Sequence, residues 1–179
     1  MLAISLATVL IAPVFIIALL VRLTSEGPAI HWSNRVGRNN KMFSMPKFRT
    51  MKMESPDVAT HLLTDPAKYL TPLGGFLRKT SLDELPQLWS IIKGDMVFVG
   101  PRPALFNQND LIELRTKSGV HMLNPGITGW AQIQGRDELP ITQKVEMDVF
   151  YAENRSIILD LKILWHTFFA VLKLKGVSH

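Results

Sequence analysis

"TSLDELPQLWSIIKGDMVFVGPRP", residues 80–103, sets two adjacent carboxylates, Asp83 and Glu84, at the head of an apolar run and closes on a stiff Gly-Pro-Arg-Pro turn. Ser81 with Glu84 three residues on reads as an S-x-x-E capping box, the signature of a helix start. Leu85, Leu88, Trp89 and Ile92 then recur at helical spacing and are expected in the core or against a membrane surface. Gly94-Asp95 ends the helix, and "MVFVG" reads as a short strand. The stretch just upstream, "LGGFLRK", predicts a second short helix.

Adjacent residues on a helix point about 100° apart. Asp83 and Glu84 are therefore poor partners for a shared proton of the aspartic-protease kind. Two separate roles fit better, one carboxylate on a reacting centre and the other on a proton or a metal. A carboxylate at a helix start feels the positive end of the dipole and stays ionised. In that form it can act as a covalent nucleophile toward phosphorus, or hold Mg²⁺, the usual companion of phosphate substrates. Arg78 lies five residues before Asp83, and Arg102 is held between Pro101 and Pro103. A guanidinium forks well onto phosphate oxygens. Acidic nucleophile, basic cluster and Mg²⁺ together suit phosphoryl transfer, where positioning and charge neutralisation carry most of the catalysis.

The rest of the chain narrows the setting. Its 179 residues are 47% hydrophobic with a net charge of +5, and the pI is near 9.6. Such a basic surface suits nucleotides, nucleic acid or anionic lipid. There is no cysteine, which excludes disulfides and thiolate metal sites. The five histidines are scattered and form no zinc-binding spacing. No Walker A loop and no G-x-G-x-x-G is present, which disfavours P-loop and Rossmann nucleotide sites. The basic residues are not interleaved with strand aromatics, so nucleic acid is not an expected partner.

Residues Met1 to Val21 carry no charged side chain, and about 20 apolar residues can cross a bilayer. No basic residue precedes the run, which argues against a cleaved signal peptide. A spanning helix and a re-entrant helix both remain open on physical grounds, because a proline such as Pro13 is tolerated in either. Arg22, Arg35, Arg38 and Lys41 follow the segment, which places its C-terminal end in the cytoplasm.

Residues 31–51 mix short apolar runs with turns at Gly37 and Asn39-Asn40 and read as a β-hairpin followed by an extended or helical piece. This most basic stretch of the chain either rests on anionic lipid or brings Lys47 or Arg49 to a phosphate. Residues 52–72 read as a polar loop with a short helix. Residues 104–120 predict an amphipathic helix with exposed charges, 124–136 a turn-rich segment and 141–153 a helix. Residues 156–177 predict a long amphipathic helix with Ile157, Ile158, Leu161, Leu164, Trp165, Phe168, Phe169 and Leu172 on its apolar side. Trp, Phe and Lys in combination suit an interfacial helix; an ordinary buried helix is the alternative.

The chain resembles the bacterial sugar transferase family, the monotopic phosphoglycosyl transferases. The resemblance rests on "KFRTM" (47–51), "SLDELPQLWSIIKGDMVFVGPRP" (81–103), "PGITGWAQIQGR" (125–136) and "DVFYAENRSIILDLKIL" (148–164), in the family's order. It implies an α+β, mainly helical fold. An N-terminal re-entrant membrane helix (1–22), broken at Pro13, would precede one cytoplasmic catalytic domain (23–179). That domain would hold a short β-hairpin and amphipathic interfacial helices. It also implies transfer of a sugar-1-phosphate from a UDP-sugar to polyprenol (undecaprenyl) phosphate, releasing UMP by a ping-pong route. Asp83 would be the nucleophile and a Mg²⁺ ligand, and Glu84 its partner carboxylate. Lys47, Arg78, Arg102 and Arg136 would bind substrate. The expected location is the cytoplasmic face of the bacterial inner membrane. Expected partners are UDP-sugar, polyprenol phosphate, membrane lipid and a second copy of the chain in a homodimer. The tail "KGVSH" (175–179) is similar to members of the diacetylbacillosamine-1-phosphate transferase type.

Two departures bear on anchoring. The family's Ser-Pro is Ala12-Pro13 here, and the family's basic stretch before the helix is absent, as for an internal or truncated start. Two other functions compete with the transferase. One is a UDP-sugar hydrolase, in which water resolves the intermediate. The other is a non-catalytic scaffold or UDP-sugar-binding subunit of a glycan assembly complex.

Overall fold

The computed structural model describes residues 2–56, 65–135 and 139–172. The fold mixes helix and sheet and is mainly helical, in line with the expected class. It forms two compact units. The first takes its described residues from 2–33 and 45–93, and the second from 34–44 and 94–172.

The apolar N-terminal run becomes one helix, α1 (Leu2–Thr24). Its 23 residues rise about 1.5 Å each, enough for a hydrocarbon layer of about 30 Å. The window Ala7–Thr24 is long and apolar enough to cross a membrane, and only 6% of it is buried. The helix continues through Pro13, which has no N–H to offer the Val9 carbonyl one turn back. Only one face is packed. Val14, Ile17, Ala18 and Val21 meet Phe48, Leu77, Leu82 and Leu85 in the core of the first unit. Val9, Ile11, Phe15 and Leu23 stay exposed.

Strands β1 (Ile30–Val36) and β2 (Met42–Phe48) form the expected hairpin, joined by a 3-10 turn at Arg38–Asn40 in which Asn39 and Asn40 take positive φ. β2 is an edge strand of a three-stranded sheet with β1 at its centre. An edge position tolerates Pro46, which cannot donate to a ladder. Further along the first unit come α2 (Gly74–Lys79), a 3-10 turn (Leu82–Gln87) and α3 (Leu88–Lys93). Within the 52–72 segment the described part holds a 3-10 turn at Pro66–Tyr69.

In the second unit, β3 (Val97–Val99) pairs in parallel with β5 (Gly126–Thr128), and β4 (Ala104–Leu105) pairs antiparallel with the end of β1. A Cβ on Gly100, Gly126 or Gly129 would strike backbone of the facing segment. The Gly-Pro-Arg-Pro turn and the Pro-Gly-Ile-Thr-Gly segment therefore approach at a distance only glycine permits. The 104–120 segment divides between β4 and a shorter helix, α4 (Asn109–Lys117). Next come α5 (Trp130–Gln134), α6 (Ile141–Asn154) and α7 (Ile157–Leu172). Ala104, Leu111 and Val145 make one core; Val99, Tyr151 and Ile163 make another.

α7 turns its apolar side outward. Ile157, Ile158, Trp165 and Phe168 are 79%, 81%, 63% and 58% exposed, while Ile163 is fully buried. The packed stripe is the narrower set Leu159, Ile163 and Thr167, where Thr167 shares a 2.6 Å hydrogen bond with Thr128.

Candidate active site

The carboxylate pair lies on the 3-10 turn Leu82–Gln87 of the first unit. Pro86 explains why the turn is not α-helical. Its missing N–H would have bonded to the Leu82 carbonyl, so the chain tightens to i→i+3 geometry there. Ser81 corrects the capping-box expectation. It sits in the left-handed region at φ 57° and makes no side-chain cap, although the Glu84 N–H does bond to its carbonyl at 3.2 Å. A non-glycine residue with positive φ is strained by of order 1–3 kcal/mol, and this one immediately precedes the carboxylates.

Without a cap to fill, the Glu84 carboxylate has a different partner. Lys47 Nζ, from β2, donates to Glu84 Oε1 at 3.2 Å, and both side chains are largely buried, 16% and 18% exposed. Asp83 is more deeply placed, at 8% exposed. With about three residues per turn of a 3-10 helix, neighbours diverge by about 120°. The two carboxylates thus occupy different surroundings, as two separate roles require.

Arg78, on α2, donates through Nε to Thr50 Oγ1 at 2.9 Å. Thr50 is itself buried. Its carbonyl accepts the Thr71 N–H at 2.9 Å, and a Cβ on Gly74 would collide with that carbonyl. Thr50 is therefore a residue that orients Arg78. Thr50 stands in the "KFRTM" segment with Lys47 and Arg49, and its residue type alone carries no signal of this contact.

Arg49 has a structural task. Its guanidinium donates to the carbonyls of Pro28 (2.6 Å), Ser25 (3.0 Å) and Gly27 (3.3 Å), and to Ser25 Oγ (3.0 Å). It is 4% exposed. Burial, and then the nearby Arg22, pull its guanidinium below the usual arginine value. Arg49 fastens the exit of α1 to β2, and of the two cations considered for phosphate, Lys47 is the one beside a carboxylate.

Arg102 belongs to the second unit, in the Gly-Pro-Arg-Pro turn. Its carbonyl accepts Arg115 Nη1 at 2.7 Å, while Arg35 Nη1 donates to the Pro103 carbonyl at 3.2 Å. Arg115 also forks onto Asp148 Oδ2 at 2.6 and 3.0 Å, a pair whose side chains are 11% and 2% exposed. The expectation of exposed charges on this helix fails at Arg115, because the guanidinium is what holds the Arg102 backbone. Burial pushes the Asp148 carboxyl up, and the Arg115 guanidinium works against that shift. Arg136 lies outside the described residues.

No group of three or more acidic or histidine side chains that could enclose a metal occurs among the described residues. Mg²⁺ is commonly held by one or two carboxylates together with substrate phosphates. Asp83, a buried carboxylate next to a second one, fits that sparse arrangement rather than a protein-built cage.

The sequence model of the bacterial sugar transferase family matches residues 1–174. The chain belongs to this family. Among similar members is an uncharacterised sugar transferase, EpsL, of Bacillus subtilis, 45% identical over 88% of this chain and 77% of its own length. The UDP-glucose:undecaprenyl-phosphate glucose-1-phosphate transferase of Escherichia coli is 40% identical over 92% of this chain. The undecaprenyl-phosphate galactose phosphotransferase of Salmonella typhimurium is 38% identical over 96% of it. The chain spans only 37% and 39% of the length of these last two family members.

Proposed function

We propose that the protein transfers a sugar-1-phosphate from a UDP-sugar to undecaprenyl or a similar polyprenol phosphate. The products are polyprenyl-diphosphate-sugar and UMP. The observation that carries the proposal is the carboxylate turn: Asp83 buried, and next to it Glu84 held by Lys47. The family members named for this reaction lend it direction.

In the proposed route, an Asp83 oxygen attacks the β-phosphorus of the UDP-sugar. The bond from that phosphorus to the bridging oxygen breaks, and the bridging oxygen leaves on UMP. The sugar phosphate is then an acyl-phosphate on Asp83. A phosphate oxygen of the polyprenol carrier attacks the same phosphorus, and Asp83 returns as carboxylate. Atoms and charge balance over the two displacements. Mg²⁺, held by Asp83 together with the diphosphate, would neutralise phosphate charge. Lys47 tethers Glu84 and keeps a cation at the donor phosphates, while Arg78, aimed by Thr50, adds a second. Arg102 and Arg136 are the further substrate-binding residues of the proposal.

The placement suits an acceptor that cannot leave a membrane. Leu82 and Leu85, on the carboxylate turn, pack on the same core as Val14, Ile17 and Val21 of α1. The turn is thereby fixed to the end of the apolar helix. In this reading residues 1–22 are a re-entrant segment that turns at Pro13 without interrupting α1, and residues 23–179 lie on the cytoplasmic face of the inner membrane. The exposed apolar side of α7 would rest at the interface.

Protein in nanodiscs is mixed with Mg²⁺ and a panel of UDP-sugars without lipid acceptor, and its intact mass is read. A phosphosugar-sized increment in wild type, absent in Asp83→Asn, is the expected result and identifies the sugar. Lack of any increment, with UMP still formed once polyprenol phosphate is added, would replace the covalent route with direct transfer.

A further inference from the structure

The second unit contains a cavity of about 300 Å³ lined by Arg38, Val97, Val99, Asn124, Tyr151 and Arg155 among others. No carboxylate lines it. Neither Arg38 nor Arg155 forms an ion pair among the described residues. Arg155 spends one donor on the Tyr151 phenol, and two guanidiniums on the lining of a space without an acid keep further forked donors for an anion.

The wall behind them is rigid. Tyr151 is 2% exposed, and its hydroxyl lies 3.1 Å from the Val99 carbonyl and 2.8 Å from Asp160 Oδ1. Burial and then Asp160 hold its phenol well above the ordinary range, while the Arg155 guanidinium beside it pulls the other way. Asp160, the carboxylate near this wall, is thus engaged by the phenol.

The position of Arg155 points to the source of the anion. It sits between α6 and α7, two residues before Ile157 and Ile158, which are 79% and 81% exposed. Trp165 and Phe168 continue the same outward apolar side. A cation at the head of such a helix lies at headgroup level when the apolar side rests on a bilayer. We propose that the cavity binds the phosphate of an anionic lipid headgroup through Arg38 and Arg155. The proposal rests on α7 lying at a membrane surface and not on the transferase chemistry, and it uses none of Asp83, Glu84, Lys47 or Arg78.

The test is native mass spectrometry of the full chain in neutral detergent, with phosphatidylglycerol or phosphatidylcholine of matched acyl chains. Wild type should retain phosphatidylglycerol at least about tenfold better, the scale of one added charge-assisted contact. The double variant R38Q/R155Q should lose that preference, and R38K/R155K should keep part of it. Circular dichroism checks the fold, and R38Q alone, at an exposed turn position, serves if the double variant fails it. Unchanged phosphatidylglycerol retention in a folded Gln variant overturns the site. Occupancy by inorganic phosphate that phosphatidylglycerol does not displace assigns the cavity to a soluble phosphate and overturns the lipid source.

Discussion

Two buried ion pairs, one in each unit, are built to different standards. Arg115 and Asp148 meet through two nitrogens at 2.6 and 3.0 Å, and a further guanidinium nitrogen holds the Arg102 carbonyl. Lys47 and Glu84 meet through one nitrogen at 3.2 Å. The first pair is forked and nearly sealed, so removing either partner strands a buried charge. The second is single, longer and more open, and its ammonium can turn toward another anion without leaving its place. One pair holds backbone in position; the other holds side chains for work. The same division separates Arg49, spent on four acceptors around the exit of α1, from Lys47 two residues before it.

The largest expected effect lies at the turn beside the looser pair. Asp83→Asn should lower UMP release from a UDP-sugar by about 10³-fold or more, as loss of a nucleophile does, with the unfolding midpoint unchanged. Activity near wild type would remove Asp83 from the reacting centre. In the sealed pair the damage should fall on stability. Asp148→Ala should cost about 3–5 kcal/mol by leaving Arg115 buried and unpaired, read from denaturant unfolding in detergent. A loss under about 1 kcal/mol would show that the pair behaves as a surface bridge. Glu84→Gln should reverse that pattern. Turnover should fall about 10²-fold, the lower range for a group handling a proton, while the unfolding midpoint barely moves.

The smallest expected effect is a pH dependence. Burial raises the Asp148 carboxyl, so the native protein keeps its proton to higher pH than the unfolded chain does. The stability from this linkage is complete below the unfolded value, near about 3.9, and is lost as pH rises through the raised native value. The advantage of wild type over Asp148→Asn should therefore shrink from acid to neutral pH. An advantage that grows with pH would show that the guanidinium outweighs burial.

Local signals carried much of the fold. Short apolar runs with turns at Gly37 and Asn39-Asn40 predict the hairpin, an uncharged run of some 20 residues predicts α1, and Gly94 marks the end of α3. The 141–153 expectation matches α6 to one residue. Other features depended on distant partners. Ser81 carries the right residue type for a cap, yet its backbone takes a left-handed turn and its side chain caps nothing. Arg115 looked like any charge on a helix, and only α6 supplied the Asp148 that buries it. On α7 the richer apolar side stays outside, because β3, β5 and α5 pack against the stripe of Leu159, Ile163 and Thr167 instead.

The sequence by itself determined the chemistry available: a carboxylate pair beside cations, one long apolar helix and the motifs of a bacterial sugar transferase. Those are properties of residue type and spacing along a chain. Tertiary structure decided the assignment of tasks among similar residues. It gave Arg49 to the exit of α1, Lys47 to Glu84, Thr50 to Arg78 and Arg115 to Asp148. The reason is physical: a charge's role follows from which acceptors and how much water surround it, and folding alone brings those together.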